Sequence, residues 1–409
     1  MDAAGKFSEL SLRVSRDEIG ESLKLTGQPG LISFSGGWPH PEVFPVQELE
    51  EICRDLLRGS AASCLQYCPA EGLPELRKQL LRWSHSLGLQ VRDGELLVTS
   101  GSQQALDLLA RVFLDPGDLV VTENPSFVSA LAAFRAAGAR FLPIAMDAAG
   151  MRLDELADAL EGLDKAGSPG TRAQRMPKLI YTIPDFQNPT GITLAAERRA
   201  RLLELAERFD LLVVEDVPYR WLRFRGEQLP LLGAAGRPRR VISVFSFSKI
   251  IAPGLRLAWV AAEESIIRKL VQTKQAADLC TSSFNQSVVA EFLGRGFLEP
   301  VVQRACALYR RNLAAMQGAL REHLSPLPGL SWVEPQGGIF LWLTLPEGAD
   351  CGQLLAEAVS QGVAFVPGSP FFPNGGGLNV LRLSFSFASE AMIYEGIGRL
   401  ARVICSGGG

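Results

Sequence analysis

One lysine of this chain lies between small hydroxyl residues and an arginine, directly after a run of apolar residues. Val241 to Phe247 is predicted to be a buried strand, which ends in Ser246, Ser248 and Lys249, with Arg256 seven residues further on. An amine forms a Schiff base with a carbonyl group, and guanidinium and hydroxyl groups bind phosphate. We therefore interpret this stretch as a site that holds a phosphate and forms a Schiff base. The alternative is a strand that ends in an ordinary polar loop.

A second stretch has the pattern of an anion site. Leu96 to Thr99 reads as a strand, a turn follows at Gly101, and a helix begins at about Ser102. The free backbone N–H groups and the dipole at the start of a helix attract anions. Ser102 and Gln103 are therefore predicted to hold phosphate with backbone and side chain, while an arginine shares the charge.

An acidic residue ends a third apolar run. Leu211 to Val214 is typical of a central strand that is buried on both faces, and Asp216 follows close behind it. A poorly solvated carboxylate needs a positive partner, such as a protonated ring nitrogen. Tyr219 lies three residues further on, within reach of the same ligand. The alternative interpretation of Asp216 is a cap at the end of a strand.

Two more polar groups follow predicted strands. Asn188 begins the sequence N-P-T-G after the strand Lys178 to Thr182, although both of its dipeptides also form simple turns. Arg382 lies in the apolar strand Leu381 to Phe385, where an inward-facing guanidinium is costly unless it is paired. A planar fork that binds a carboxylate with two hydrogen bonds suits arginine. The alternative is an arginine of an edge strand, pointing into solvent.

The elements that carry these residues alternate between strand and helix from about residue 95 to 265. This order predicts an α/β fold with a mostly parallel central sheet, flanking helices and ligands beyond the carboxyl ends of the strands. The later part of the chain predicts a smaller α+β domain, with a long helix from Leu298 to about Leu324 and a strand from Val363 to Val366. We expect an arm or entry segment at 1–45 with a short helix over Ser15 to Leu25, a large domain at 46–295 and a small domain at 296–409.

The motifs together resemble the class I aminotransferases, which bind pyridoxal phosphate in the architecture called fold type I. The resemblance extends from about Ile19 to Arg402 and is closest to the branch with 2-aminoadipate, kynurenine and broad-range aminotransferases. The matching motifs are S-x-S-K-x-x-x-P-G-x-R at 246–256, E-x-P-x-aromatic at 123–127, N-P-T-G at 188–191, D-x-x-Y at 216–219, N-x-x-R-L-S at 379–384 and Y-x-x-x-x-G-x-x-x-L-R at 67–77.

The resemblance implies a role for each matching residue. Lys249 would hold the cofactor as an imine, Asp216 would face its pyridine nitrogen, and Asn188 and Tyr219 its phenolic oxygen. Phe127 would stack on the ring, although the family usually has tyrosine there, so any duty of that hydroxyl is lost. Residues implied at the phosphate are Ser102, Gln103, Ser246, Ser248, Arg256 and, across a dimer interface, Tyr67 of the partner subunit. Those implied at the substrate are Gly37, Asn188 and Arg382.

The function that the resemblance implies is transfer of an amino group from an L-amino acid to a 2-oxo acid, through the Lys249 imine and pyridoxamine phosphate. Related enzymes with the same motifs run eliminations, replacements, decarboxylations, racemisations or carbon–carbon bond formation, and these outcomes stay open. Some relatives for acidic substrates carry arginine near position 20, where this chain has Ile19-Gly20-Glu21, which weakens the expectation of an aminoadipate or glutamate substrate. A third hypothesis is a regulator that senses the cofactor, but such proteins carry an additional DNA-binding domain, and the segment before Leu31 is short and not basic.

The composition indicates a soluble globular protein. Its net charge is −3, and nearly all of its arginines, which are scattered among acids, are interpreted as parts of solvated helix faces. We therefore expect neither a nucleic-acid partner nor a membrane segment. The seven cysteines include no C-x-x-C pair, which favours reduced thiols in a cytoplasm. Only three histidines occur, without metal-ligand spacing or a G-x-S-x-G elbow, so neither a zinc site nor a serine hydrolase is expected.

Overall fold

The strands of the chain are short, and several are apolar runs that are buried on both faces. The computed structural model describes residues 4–14, 30–165, 176–235, 238–325 and 327–406. Every residue of the strands at 96–99, 179–182 and 241–246 is buried, as expected for strands covered by helices on both sides. The strands are β1 (Ile32–Ser33), β2 (Leu96–Thr99), β3 (Leu119–Asn124), β4 (Arg140–Asp147), β5 (Gly150–Met151), β6 (Leu179–Thr182), β7 (Leu212–Val217), β8 (Val241–Ser246), β9 (Ala258–Ala261), β10 (Ser331–Trp332), β11 (Phe340–Thr344), β12 (Val363–Ala364), β13 (Val366–Pro367) and β14 (Val380–Ser384).

The helices fill the intervals between these strands. The predicted long helix from Leu298 to about Leu324 is confirmed, whereas the helix predicted over 15–25 lies outside the described residues. The α-helices are α1 (Glu9–Arg13), α2 (Val46–Gly59), α3 (Ala61–Cys64), α4 (Pro74–Ser86), α5 (Ser102–Phe113), α6 (Val128–Ala136), α7 (Leu153–Lys165), α8 (Ala196–Arg208), α9 (Glu264–Asp278), α10 (Ser283–Gly294), α11 (Leu298–Leu324), α12 (Cys351–Ser360) and α13 (Glu390–Ser406). No helix in the described ranges combines the length and the apolar character that a membrane crossing requires.

The large sheet has the strand order β2-β9-β8-β7-β6-β3-β4-β5. Strands β8, β7, β6, β3 and β4 are parallel neighbours, whereas β9 pairs antiparallel with both β8 and β2. Since β2 opposes β9, it runs in the same direction as β8. The predicted mostly parallel sheet is thus confirmed, and the loops after β2, β3, β6, β7 and β8 all leave from one edge.

Apolar side chains cover both faces of this sheet. On β8, Ile242 and Val244 belong to the core cluster that includes Leu106 of α5. The neighbouring Phe245 points the other way and stacks on Trp259, with ring centroids 4.6 Å apart. Alternation along one strand therefore places helices on each side and leaves the carboxyl edge for polar groups.

The later part of the chain builds a second, antiparallel sheet in the order β10-β11-β14-β13. The strand predicted over Val363 to Val366 is divided there. Val363–Ala364 pairs with β1, and Val366–Pro367 pairs with β14, because the chain crosses at the buried Phe365 from one sheet to the other. The predicted α+β character is seen, and the domain limits 1–45, 46–295 and 296–409 stay a prediction.

Candidate active site

The carboxyl edge of the large sheet brings together side chains from three consecutive parallel strands. Asn188 lies in the loop after β6, Asp216 near the end of β7, and Lys249 three residues after β8. Nδ2 of Asn188 lies 3.4 Å from the hydroxyl of Tyr219, and its Oδ1 accepts a hydrogen bond from Nη1 of Arg382 at 3.0 Å. Asn188, Tyr219 and Arg382, which are far apart in sequence, are thus linked by hydrogen bonds, and Asp216 and Lys249 lie at the same edge of the sheet, as the motifs predicted.

Lys249 is the amine of this cluster. It is half-buried, and its Nζ donates to the carbonyl of Gly37 at 2.8 Å. Burial, followed by the charges of Arg382 and Arg256, lowers the pKa of Lys249 to about 8. A Cβ at Gly37 would lie 2.7 Å from Cζ of Phe340, so only glycine lets this carbonyl approach the amine without a shift. A substantial neutral fraction near pH 8 makes Lys249 a nucleophile and a proton carrier.

Asp216 is a buried carboxylate with one free oxygen. The hydroxyl of Tyr181 donates to Oδ2 at 2.9 Å, while Oδ1 finds no hydrogen-bond partner among the described residues. Burial raises the pKa of Asp216 to about 7, against the opposing effect of the Tyr181 hydrogen bond. An orphaned buried oxygen suits a cationic N–H ligand, such as a protonated pyridine. The alternative interpretation of Asp216 as a strand cap is wrong.

Tyr181 is the residue of this cluster that the sequence reasoning missed. It lies within the apolar run of β6, where a tyrosine reads as core, and it is fully buried. Strand β7 pairs in register with β6, Tyr181 being opposite Val214, so Asp216 lies two residues beyond that pair. The sequence signal for Tyr181 was a hydroxyl group within a predicted central strand. The partner of that hydroxyl depends on which strand lies beside β6, which the sequence does not give.

The two predicted phosphate motifs meet beside Gly101. This glycine precedes α5 with a φ of +90°, and a Cβ on it would lie 2.5 Å from Nη2 of Arg256. The guanidinium therefore lies at the amino terminus of α5, where Ser102 begins the helix. Gln103 is exposed, and its side-chain amide donates to the carbonyl of Ser129 at 2.9 Å. The arrangement is that of an anion site with a cation added.

The two serines beside Lys249 border the same region. The backbone N–H of Ser248 donates to Oγ of Ser246 at 3.2 Å, which shapes the turn that leads into Lys249. Ser246 is buried and Ser248 is half-buried. Both lie on the stretch between β8 and Arg256, so their hydroxyls are near the predicted phosphate position in sequence, and their contact with phosphate stays a prediction.

Arg382 is buried on an interior strand. β14 lies between β11 and β13, so the alternative of an edge arginine in solvent is wrong. Its Nη2 donates to the carbonyl of Ser35 at 2.6 Å, and its guanidinium packs on the rings of Phe340 and Phe371, with carbon-to-centroid distances of 4.2 and 5.3 Å. Nε has no hydrogen-bond partner within the described ranges. Burial lowers the pKa of Arg382 to about 10 but leaves it charged at neutral pH.

Of the remaining predicted residues, Phe127 is half-buried in its own chain, whereas Tyr67 lies on the surface. Phe127 precedes α6, is half-buried and packs against the core cluster that contains Tyr219. Tyr67 is 78% exposed, and the apolar Leu65 and Leu279 are 64% and 54% exposed. The segment of Tyr67 lies against that of Leu279, because the Ser283 hydroxyl donates to the carbonyls of Cys64 and Gln66. An exposed aromatic and two leucines form a surface that a partner chain would cover.

A buried cluster of one carboxylate and three guanidinium groups lies directly before the N-P-T-G loop in the sequence. Asp185 accepts hydrogen bonds from Arg199 at 2.7 Å and from Arg220 at 3.0 Å, and Arg223 lies 3.5 Å away. Sequence reasoning took these arginines as solvated helix faces, but all three side chains are at most 9% exposed. Their hydrogen bonds also reach backbone carbonyls, such as that of Pro184 from Arg199. This cluster anchors the loop that carries Asn188.

The described residues contain no group of three or more histidine, cysteine, aspartate or glutamate side chains that could hold a metal ion. The ionisable groups that the structure does place at this edge are the amine of Lys249, the carboxylate of Asp216, two tyrosines and two arginines.

Comparison with known proteins places this geometry in a family. The family model of the class I and II aminotransferases matches residues 40–400. The chain is 42% identical over 405 residues to aromatic-amino-acid aminotransferase 1 of Thermococcus litoralis, covering 99% of this chain and 95% of the relative. It is also 42% identical over 402 residues to the 2-aminoadipate transaminase of Thermus thermophilus, covering 97% and 96%.

A solved structure agrees with these relatives. LysN, an alpha-aminoadipate aminotransferase from Thermus thermophilus complexed with N-(5'-phosphopyridoxyl)-L-leucine, superposes with a TM-score of 0.90 at 39% identity and covers 99% of both chains. The predicted fold type I architecture and the predicted enzyme class are confirmed. The chain belongs to the class I and II aminotransferases, the pyridoxal-phosphate-dependent transferases that move amino groups.

Proposed function

We propose that the cleft at the carboxyl edge binds pyridoxal 5'-phosphate through Lys249 and moves the amino group of an L-amino acid to a 2-oxo acid. The observation that carries the proposal is the pairing of a half-buried amine that has no carboxylate partner in the described part of the chain with a buried carboxylate that has a free oxygen. These groups fit the aldehyde and the ring nitrogen of that cofactor. The phosphopyridoxyl-leucine complex of LysN supports the same ligand class.

The residues around this pair suit the rest of the cofactor. Asn188 and Tyr219 would contact its phenolic oxygen, Phe127 would cover the ring, and Asp216 would hold a proton on the pyridine nitrogen. When bound, pyridoxal phosphate supplies an electrophilic carbon and a ring that accepts the electrons of the Cα–H bond. The phosphate would be held by Ser102, Gln103, Ser246, Ser248, Arg256 and Tyr67 of the partner subunit.

The substrate would be oriented by Arg382 and Gly37. The guanidinium has an unused Nε–H and packs between two aromatic rings, so it can receive a carboxylate without moving far. Asn188 already holds its Nη1 and would contact the same carboxylate. Once the amine of the substrate has taken the place of Lys249 on the cofactor, the freed Lys249 amine would accept the proton from Cα. It would later return that proton to the cofactor. Its lowered pKa leaves a neutral base for this transfer.

We also infer a homodimer in the cytoplasm. The exposed surface of Leu65, Tyr67 and Leu279 supports a second copy of the chain as the partner. All seven cysteines are free thiols, which supports a reducing compartment.

The test is an absorption titration of the purified protein with pyridoxal phosphate, followed by single L-amino acids. We expect a visible band that amino acid removes while a 2-oxo acid appears, and the best amino acid identifies the substrate class. Lys249→Ala should abolish the band and the turnover. Lys269→Ala, which changes a lysine on the exposed side of α9, serves as the matched control. Full turnover by Lys249→Ala, or no band in the wild type, would refute the proposal.

A further inference from the structure

Another buried carboxylate lies one strand beyond Tyr181, and no cation among the described residues forms an ion pair with it. Glu123 is the penultimate residue of β3 and is 1% exposed. Its Oε1 accepts from the hydroxyl of Thr182 at 2.5 Å, and its Oε2 accepts from the backbone N–H of Ile183 at 3.3 Å and from Nε2 of Gln187 at 3.2 Å. An unpaired carboxylate is expensive to bury, so donors on both oxygens indicate a specific use.

Both the nitrogen and the oxygen of the Gln187 side-chain amide form hydrogen bonds beside Glu123. Its Nε2 also donates to the carbonyl of Pro125 at 2.8 Å, and its Oε1 accepts from N and Oγ1 of Thr190 at 2.9 and 2.7 Å. The Thr190 N–H fixes which end of the amide is oxygen, so Nε2 must face Glu123. Glu123 and Gln187 therefore tie the loop after β3 to the loop after β6.

These two loops carry the residues on either side of the cofactor position. Pro125 lies two residues before Phe127, and Gln187 directly precedes Asn188. A shift of the Pro125 carbonyl would move Phe127, and a shift of the Gln187 backbone would move Asn188. The Glu123–Gln187 pair is thus one of the contacts that fix the separation between the ring face and its oxygen-binding amide, alongside the hydrogen bond from Arg382 to Asn188 and the one from the backbone N–H of Ser126 to the carbonyl of Phe371.

We propose that Glu123 and Gln187 are positioning residues that set the spacing between Phe127 and Asn188 and so determine how tightly the cofactor ring is held. This inference rests on the proposed function, because the slot has a use only if a ring binds there. Neither residue needs to touch the ring. The pair acts through the loops on either side of it, in the way that supporting hydrogen bonds orient a binding site.

The test exchanges the two functional groups. In Gln187→Glu two carboxylates face each other, and the donor to the Pro125 carbonyl is lost. The double variant Glu123→Gln with Gln187→Glu restores one cross-loop hydrogen bond, now donated from position 123. Glu215→Gln is the matched control, since Glu215 is an equally buried carboxylate of β7 whose described hydrogen bonds come from the Ser243 hydroxyl and the backbone N–H groups of Leu232 and Gly233 and involve neither loop. The dissociation constant of pyridoxal phosphate and the position of its visible band are measured for the apo protein of each variant.

We expect Gln187→Glu to weaken cofactor binding by about tenfold or more and to shift the band, because the hydrogen bonds that Nε2 of Gln187 donates to Glu123 and to the Pro125 carbonyl are lost. The double variant should recover about threefold or more of that loss. Glu215→Gln should lower the melting temperature without changing the band position. Equal weakening in the single and double variants would overturn the inference, as would an unchanged dissociation constant in Gln187→Glu.

A milder variant covers the case in which Gln187→Glu does not fold. Thr190→Val removes the hydroxyl that donates to Gln187 and accepts from the backbone N–H of Ile192 in the same loop, and it should raise the dissociation constant by roughly two- to fivefold. An unchanged constant there would overturn the inference. The two proposals fail differently: a wild type that binds no pyridoxal phosphate refutes the proposed function, whereas a wild type that binds it and a Gln187→Glu that binds equally well refute only the positioning role.

Discussion

At the scale of single residues, the site is defined by charged groups held where water is scarce. Lys249 has the Gly37 carbonyl for a partner, and the charges of Arg382 and Arg256 disfavour its protonated form. Burial disfavours the charged form of Asp216, whereas the hydrogen bond from Tyr181 stabilises that form. The free protein therefore holds an amine and an acid whose pKa values are displaced towards each other, which makes both ready to exchange protons near neutral pH.

The lowered pKa of Lys249 predicts an unusual pH dependence for its reaction with aldehydes. A protonated amine does not attack, so the rate rises with pH only until the amine is neutral. We expect reductive alkylation of Lys249 in the apo protein, followed by peptide mass spectrometry, to level off above about pH 8. A free model lysine continues to gain reactivity up to about pH 10.4. Replacing Arg382 by Met should move the midpoint for Lys249 upwards, because a nearby positive charge is removed. A midpoint near that of the model lysine would contradict the prediction.

At the scale of elements, parallel strands deliver the polar residues and one glycine closes the anion site. Strands β2, β6, β7 and β8 run in the same direction, so the turns that follow them share one edge of the sheet. Gly101 lies in one of these turns, and the Arg256 guanidinium occupies the space where a side chain would begin. The close contact between the turn at Gly101 and the Arg256 guanidinium places this cation at the amino terminus of α5, where both can bind one phosphate group.

We predict that Gly101→Ala weakens phosphate binding specifically. The new methyl group would displace Arg256, and Gly117→Ala is the matched control because Gly117 has a similar φ of +93° but no atom within 4 Å of the new Cβ. Both variants place a side chain at a positive φ, so the effect particular to Gly101→Ala reports the lost position of the guanidinium. We expect the dissociation constant of pyridoxal phosphate to be about tenfold higher in Gly101→Ala than in Gly117→Ala. Equal constants, measured by absorption titration, would show that Arg256 does not bind the phosphate.

At the scale of the whole molecule, the described chain leaves an aromatic and two leucines on its surface near the site. A tyrosine exposed to 78% contributes nothing to the core of its own chain. In a symmetric dimer the same surface meets itself, so a residue at its centre can serve the neighbouring site.

Mixed dimers test this arrangement directly. Tyr67→Ala chains keep Lys249, and Lys249→Ala chains keep Tyr67, so a mixed dimer regains one complete site only if Tyr67 acts across the interface. With random pairing of equal amounts, we expect about a quarter of all sites to bind cofactor as in the wild type. The measurement is the visible band and the transamination rate after co-expression. Signals no larger than the mean of the two parent variants would indicate that Tyr67 acts within its own chain or not at all.

The sequence by itself determined the fold class, the family and every residue of the polar cluster except Tyr181. Apolar runs that end in Asp216, Asn188 and Lys249 are local patterns, and the carboxyl ends of parallel strands must meet at one edge whatever the order of the strands. The resemblance then followed from motif spacing along the chain. The local patterns allowed, but did not predict, the direction of β2 and the position of Arg382 on an interior strand.

Only the tertiary structure decided which groups support that cluster. Tyr181 meets Asp216, and Glu123 meets Gln187, because β6 lies between β3 and β7 in a fixed register. Nothing in a local pattern distinguishes such a tyrosine from a core aromatic. The partner of a buried polar group is set by strand order and by the requirement that every buried donor and acceptor be satisfied, and both conditions exist only once the whole sheet has formed.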